Sequence, residues 1–260
     1  MSKVLSEGEH RCVALAAFMA ELATTENTSG IVFDDPVSSL DHIHRKVVAK
    51  RLVDAANQRQ VIVFTHDLEF LILLREASRH RQGNDPTFMS VIKVGQKAGI
   101  CGESPFKALS VKERVDWMKK TLKNGTEELL KGNTKEWDDY CKNIYSSLRQ
   151  TWEAAVEEVV SPVIKRLHHK VDTSKLCELA EITPDDAEKM REEFVLCSVQ
   201  MHDSPAASNP PTPKPEEVEE RIDKLNDWYK DLKSRQAAAS KTRNARNSAR
   251  EAGPHRRRLS

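Results

Sequence analysis

Two carboxylates, Asp34 and Asp35, stand side by side after the short apolar run Ile31-Val-Phe33, and Pro36 follows them. Proline has no N–H to give a ladder, so it ends the strand that the run predicts. A strand that closes on carboxylates and then turns sharply is where open α/β sheets hold ligands. Ser38, Ser39 and Asp41 continue as a polar turn and offer an N-cap to the next helix. A second apolar run, Val61-Ile-Val-Phe64, ends in Thr65-His66-Asp67. Upstream, Ser6 and Glu9 have the Ser-x-x-Glu spacing of a capping box, and Gly8 between them lets a ligand or another backbone come close. The free amides and positive dipole end of the helix that starts there suit a phosphate. Each feature alone has a plainer reading: a capped core helix, a turn, a histidine at a strand end. Their joint occurrence, each at the tip of a predicted element, argues for shared chemistry.

The elements that must position these tips follow from periodicity. Residues 11–22 are almost all apolar, which predicts a mostly buried helix. Residues 41–57 read as an amphipathic helix with Lys46, Lys50 and Arg51 outward. The run 61–64 predicts a fully buried parallel strand, and 68–77 a helix capped by Asp67. A closing hairpin is expected from residues 89–94 and a short piece near Ile100, separated by Gly95 and Gly99. Past Gly102 the texture becomes helical and charge-rich, over 110–123, 134–160, a start at 183–186, and 215–233, with a proline-rich linker at 204–215. From Ala237 large apolar residues are few. Seven Lys or Arg between Lys241 and Arg258 face one acid, Glu251. That composition predicts a disordered basic tail.

Composition excludes several classes. The 260 residues carry 41 basic and 40 acidic side chains, so the net charge of +1 gives no global field for nucleic acid or membrane. A mean hydropathy of −0.60 marks a polar chain, and no apolar run approaches the roughly 20 residues of a membrane span. Five scattered cysteines without CxxC spacing suggest neither a disulfide framework nor a zinc site. The expected compartment is a reducing cytoplasm.

The order Leu5-Ser-Glu-Gly-Glu9, then Ile31-Val-Phe-Asp-Asp-Pro-Val-Ser-Ser-Leu-Asp41, then Val61-Ile-Val-Phe-Thr-His-Asp67 resembles the C-terminal lobe of an ABC-type ATPase. In that family these are the signature motif, Walker B, D-loop and switch histidine. The Asp-Asp-Pro-Val-Ser-Ser-Leu-Asp-His variant, with Glu7 inside the signature, is most similar to bacterial RloC/PrrC-type proteins, which couple such an ATPase to an RNA-cutting domain. RecF and SMC proteins are more distant relatives. The resemblance covers residues 4–75 and fades after Gly102. It implies an α/β fold, a partial P-loop NTPase lobe with parallel strands over residues 1–105, followed by an α-helical effector or interaction domain over 106–236 and the basic tail over 237–260. It also implies ATP and Mg2+ as cofactors. Asp34 would hold the metal, and Asp35 would orient the attacking water in place of the usual glutamate. His66 would contact the γ-phosphate. Ser6, Gly8 and Glu9 would reach the γ-phosphate held by the other lobe of an ATP-dependent homodimer, and Asp41 would line the dimer seam.

The Gly-x4-Gly-Lys-[Ser/Thr] phosphate loop has no match in the 260 residues. The expectation is therefore the C-terminal part of a longer ATPase, dependent on a Walker A lobe or its carrier chain and not competent for ATP alone. In the helical region Arg149 and Glu153 share a helix face and His202 precedes the proline-rich stretch. By analogy with anticodon nucleases of phage defence, His202 would act as general acid/base, Arg149 would stabilise the phosphate, and Glu153 would orient one of them. The plainer alternative is an intrahelical ion pair plus a surface histidine, and His168 and His169 are rival candidates. A RecF/SMC-like repair or DNA-tethering ATPase with a non-catalytic helical module is the competing functional class.

Overall fold

The computed structural model describes residues 5–24, 28–79, 86–160, 175–201 and 212–251. The chain divides into two compact units, Met1–Ala108 and Leu109–Ser260.

In the first unit, helix α1 (Glu7–Thr24) leads into strand β1 (Ile31–Asp34), helix α2 (His42–Ala55), strand β2 (Val61–Phe64) and helix α3 (Leu68–Arg79). An antiparallel hairpin, β3 (Ser90–Val94) and β4 (Lys97–Gly102), follows. β1 and β2 pair in parallel with Ile31 opposite Val61 and Asp34 opposite Phe64. The Asp35 N–H donates to the Phe64 carbonyl at 2.8 Å, carrying the ladder one residue past the strands. This in-step register brings the residues after both strands to one level. Ile31 and Phe33 of β1 are buried with Val48 and Leu52 of α2, Phe70 and Leu74 of α3, and Val37 and Leu40 of the turn.

Two burial expectations are corrected here. No residue of α1 is buried, and Val13 and Phe18 are exposed. β2 alternates instead of being fully buried, with Ile62 and Phe64 exposed. The cause is coverage. Among the described residues, helices pack on the face of Ile31 and Phe33 only, and Val32, Ile62 and Phe64 form the opposite, open face. Parallel strands are written apolar for burial on both faces, and these described elements supply one.

The second unit is helical: α4 (Val111–Leu130), α5 (Thr134–Val160), the short α6 (Leu176–Leu179), α7 (Pro184–Met201) and α8 (Pro215–Glu251). α4 starts at a complete capping box between Ser110 and Glu113. Thr183 and Asp186 form the same reciprocal pair before α7, at 2.7 to 3.2 Å. Met118, Ile144, Leu148, Trp152, Ile222, Leu225 and Leu232 make the fully buried centre.

The expected disordered tail is corrected over most of its length, because α8 runs on through residues 237–251. Three consecutive alanines followed by Lys and Arg favour helix. The extension is also tied down. Gln236 Nε2 donates to the carbonyls of Val159 at 2.9 Å and Glu178 at 3.1 Å, and Ser240 Oγ donates to the Glu178 carboxylate at 2.5 Å. Residues 252–260 and most of the expected linker, 202–211, lie outside the described residues.

Candidate functional site

The tips of β1 and β2 meet through side chains. His66 Nδ1 lies 3.1 Å from Asp35 Oδ2, and the Thr65 hydroxyl donates to Asp35 Oδ1 at 3.2 Å. Asp35 is three-quarters buried, while His66 is 85% exposed and, among the described residues, held by this one contact. Asp35 adopts φ 45°, in the left-handed region where Asp is among the few tolerated side chains. That conformation aims its carboxylate at the end of β2 while its N–H completes the ladder. Asp34, one residue earlier, is exposed and shares the open face with Val32. The neighbouring carboxylates therefore differ in setting, one engaged by Thr65 and His66, the other facing solvent.

The turn after β1 is knitted to the start of α1. Ser6 and Glu9 form the expected box: the Ser6 N–H and hydroxyl both donate to the Glu9 carboxylate, at 2.7 and 2.8 Å, and the Glu9 N–H donates back at 3.3 Å. The Ser6 N–H, then its hydroxyl, hold the Glu9 carboxyl below its ordinary range. Arg11 donates to the Ser38 hydroxyl, and Ser39 Oγ donates to Glu7 at 3.3 Å. Ser39 itself has φ 67°. Gly8 lies against the Ser39 carbonyl, where a Cβ would come within 2.7 Å. Backbone approach within the unit thus accounts for this glycine.

Asp41 caps α2 by accepting from the Ile43 and His44 N–H groups at 3.0 and 2.9 Å, and its Oδ1 also meets His44 Nδ1 at 2.9 Å. The His44 amide first, then its ring, lower the Asp41 pKa. Arg45 braces the other side of the turn. Its Nε donates to the Leu40 carbonyl at 2.8 Å and its guanidinium pairs with Asp67 at 2.6 Å. Thr65 stands inside the Thr-His-Asp run but is given no role there, Arg11 and Arg45 belong to no motif, and all three are missing from the sequence-based candidates. The only sequence signal is adjacency to His66, to the capping box and to Asp41.

Among the described residues no group of three or more His, Cys, Asp or Glu is placed to hold a metal ion. Mg2+ does not require one, since it binds through one or two carboxylates, several waters and substrate phosphates. An exposed Asp34 next to Asp35 fits that donor set. A cavity of about 630 Å³ lies between α1 and α2, lined by apolar residues such as Leu15, Met19, Val48 and Leu52. Its lining also includes His44, Arg51 and Arg59, but none of Asp34, Asp35 and His66.

In the helical unit, Arg149 Nε is 3.9 Å from Glu153 Oε1, and the Arg149 guanidinium stacks 4.7 Å from the Phe194 ring centroid. His202, His168 and His169 lie outside the described residues. Cys141 and Cys197 are buried, and burial pushes each thiol up to about 12. Neither is a nucleophile at neutral pH.

Residues 1–104 match the model of a protein family described as an AAA domain. Over these residues the chain is similar to an AAA-type, ATPase-like region. The match ends close to the boundary between the two units and leaves the helical unit unmatched. No curated protein and no solved structure matches the chain. No described helix is long and apolar enough to cross a membrane.

Proposed function

We propose that the AAA-like region is the C-terminal lobe of an ABC-type ATPase, whose nucleotide state gates the helical unit as the effector of a RloC/PrrC-like RNA-cutting defence protein. The observation that carries this reading is the convergence of Asp35 and His66, from the tips of two parallel strands, at 3.1 Å. Phosphoryl transfer needs positioning and charge stabilisation more than covalent chemistry, and these two side chains offer a water-orienting carboxylate and an exposed imidazole to meet a phosphate. Asp34 would hold Mg2+, which when bound supplies charge neutralisation at the phosphates. Ser6, Gly8 and Glu9 at the start of α1 and Asp41 on α2 would line the seam with a second copy bearing ATP. The phosphate cradle would come from sequence not contained in these 260 residues, since the chain has no phosphate-loop motif.

A second reading keeps the ATPase and makes the helical unit an interaction module, as in RecF/SMC-like repair or tethering proteins. The stacking of Arg149 on Phe194 favours it, because a packed guanidinium is a structural group. The two readings separate in one experiment on the protein joined to a phosphate-loop lobe. ATP hydrolysis and RNA cleavage are measured for the wild type, Asp35→Ala, His66→Ala, Arg149→Ala and His202→Ala. The nuclease reading expects cleavage that is lost in the last two. Hydrolysis without cleavage supports the interaction module, and hydrolysis indifferent to Asp35 and His66 overturns the site. The 260-residue chain alone is expected to bind ATP weakly or not at all, and tight calorimetric binding would contradict the need for an external cradle.

A further inference from the structure

The Asp35 carboxylate has two oxygens in two different situations. Oδ1 accepts from the Thr65 hydroxyl, a side chain tied into the fold, because Thr65 Oγ1 also accepts from the Asp67 N–H at 3.1 Å. Asp67 in turn caps α3 through the Phe70 N–H at 3.1 Å and is clamped by Arg45 at 2.6 Å. Oδ2 meets His66, which is 85% exposed and has no other anchor among the described residues. One oxygen is therefore fixed by a chain of contacts running into the helix starts, and the other is held by a group free to leave. Thr65 is β-branched and stiff about χ1, which suits a fixed hydroxyl.

We infer that Thr65 is the positioning residue of this site: its hydroxyl holds Asp35 Oδ1, so that Oδ2 can pass between His66 and the attacking water. This rests on the ATPase reading above. With no phosphate present, the imidazole of His66 takes one acceptor position on Oδ2. When a γ-phosphate draws the imidazole away, Oδ2 is released with its direction already set. Aspartate, one methylene shorter than glutamate, has less reach to find the water by itself, so the external hydroxyl supplies the orientation. The hydroxyl donates its single proton to Asp35 and receives the Asp67 N–H on a lone pair, which uses both capacities without conflict.

The test compares Thr65→Ser, which keeps the hydroxyl, with Thr65→Val, which keeps the shape and removes it. On the 260-residue chain, NMR of the Asp35 side-chain carboxyl carbon and the His66 ring reports the contact directly. Thr65→Val should shift the Asp35 signal and Thr65→Ser should restore it. An Asp35 signal identical in wild type and Thr65→Val would overturn the proposal without reference to ATP. In the protein joined to a phosphate-loop lobe, Thr65→Val should lower kcat about tenfold to a hundredfold with KM for ATP unchanged, as misplacement of a catalytic group does. It should add no further loss in an Asp35→Ala background. A role confined to the start of α3 predicts an equal loss in both backgrounds, and that result would also overturn the proposal. Absence of hydrolysis in the wild type would instead remove the ATPase reading itself, and this role with it.

Discussion

A Cβ placed on Gly8 would sit 2.7 Å from the carbonyl oxygen of Ser39, an atom of the backbone and not the end of a flexible side chain. Ser39 is already in the left-handed region and its hydroxyl is bonded to Glu7, so the turn has little freedom to retreat. Gly8→Ala should therefore destabilise the first unit by about 1–3 kcal/mol despite the higher helix propensity of alanine. Urea unfolding followed by NMR of residues in α1 and α2 reads this directly. A stabilised variant would show that the turn moves freely and return Gly8 to a ligand-approach role.

The same kind of contact fixes the sign of a second substitution. Gly125 lies in the middle of α4, where alanine is normally worth about 1 kcal/mol to a helix. Its missing Cβ, however, would fall 2.9 Å from both Cβ and Cγ of Tyr140 and 3.2 Å from Trp137 Cε3 on α5. Overpacking between two helices costs about 1–3 kcal/mol, so Gly125→Ala should lower the unfolding midpoint of the helical unit. A rise in thermal midpoint would contradict the close α4–α5 packing.

What could be read from the residues alone divides along a physical line. Ser6 with Glu9, Asp41 as a cap and the start at Thr183 were legible because each is a bond between residues two or three apart. The parallel pair β1 and β2 was legible because apolar runs ending in turn residues are strong strand signals. The exposure of Phe18, Ile62 and Phe64 was not, because burial depends on which other elements arrive to cover a face. Nor was the helix beyond Gln236, whose contacts reach Glu178, 58 positions away in the chain. In the site, Asp35 and His66 announced themselves by motif, whereas Thr65 and Arg11 act through partners 30 and 27 positions distant.

The α8 extension carries a third expectation. Deleting residues 237–251 removes Ser240 and its bond to Glu178, leaving the Gln236 contacts at the new end of the helix. Helical circular dichroism should fall by the share those residues contribute, and amide protection in α6 should drop because Glu178 loses its partner. An unchanged spectrum would mean that residues 237–251 are not helical in solution.

Asp186 gives a pH dependence whose sign can be worked out. Burial by itself would raise its pKa. The Thr183 hydroxyl and N–H and the Arg235 guanidinium, at 2.7 to 2.9 Å, outweigh burial and leave the carboxyl below its ordinary value. A carboxyl depressed in the folded state contributes stability that is fully present above its unfolded pKa, about 4, and is lost as pH falls through the folded value. Asp186→Asn removes that contribution while leaving the backbone carbonyl that accepts from Trp228 Nε1 at 3.2 Å. The wild type should therefore be more stable than Asp186→Asn at about pH 7, and the gap should narrow once the pH drops below about 4. Urea midpoints of both proteins across that range check the prediction. A gap that stays constant with pH would mean that the charge on Asp186 contributes nothing, and that its value lies only in shape and neutral hydrogen bonds at the start of α7.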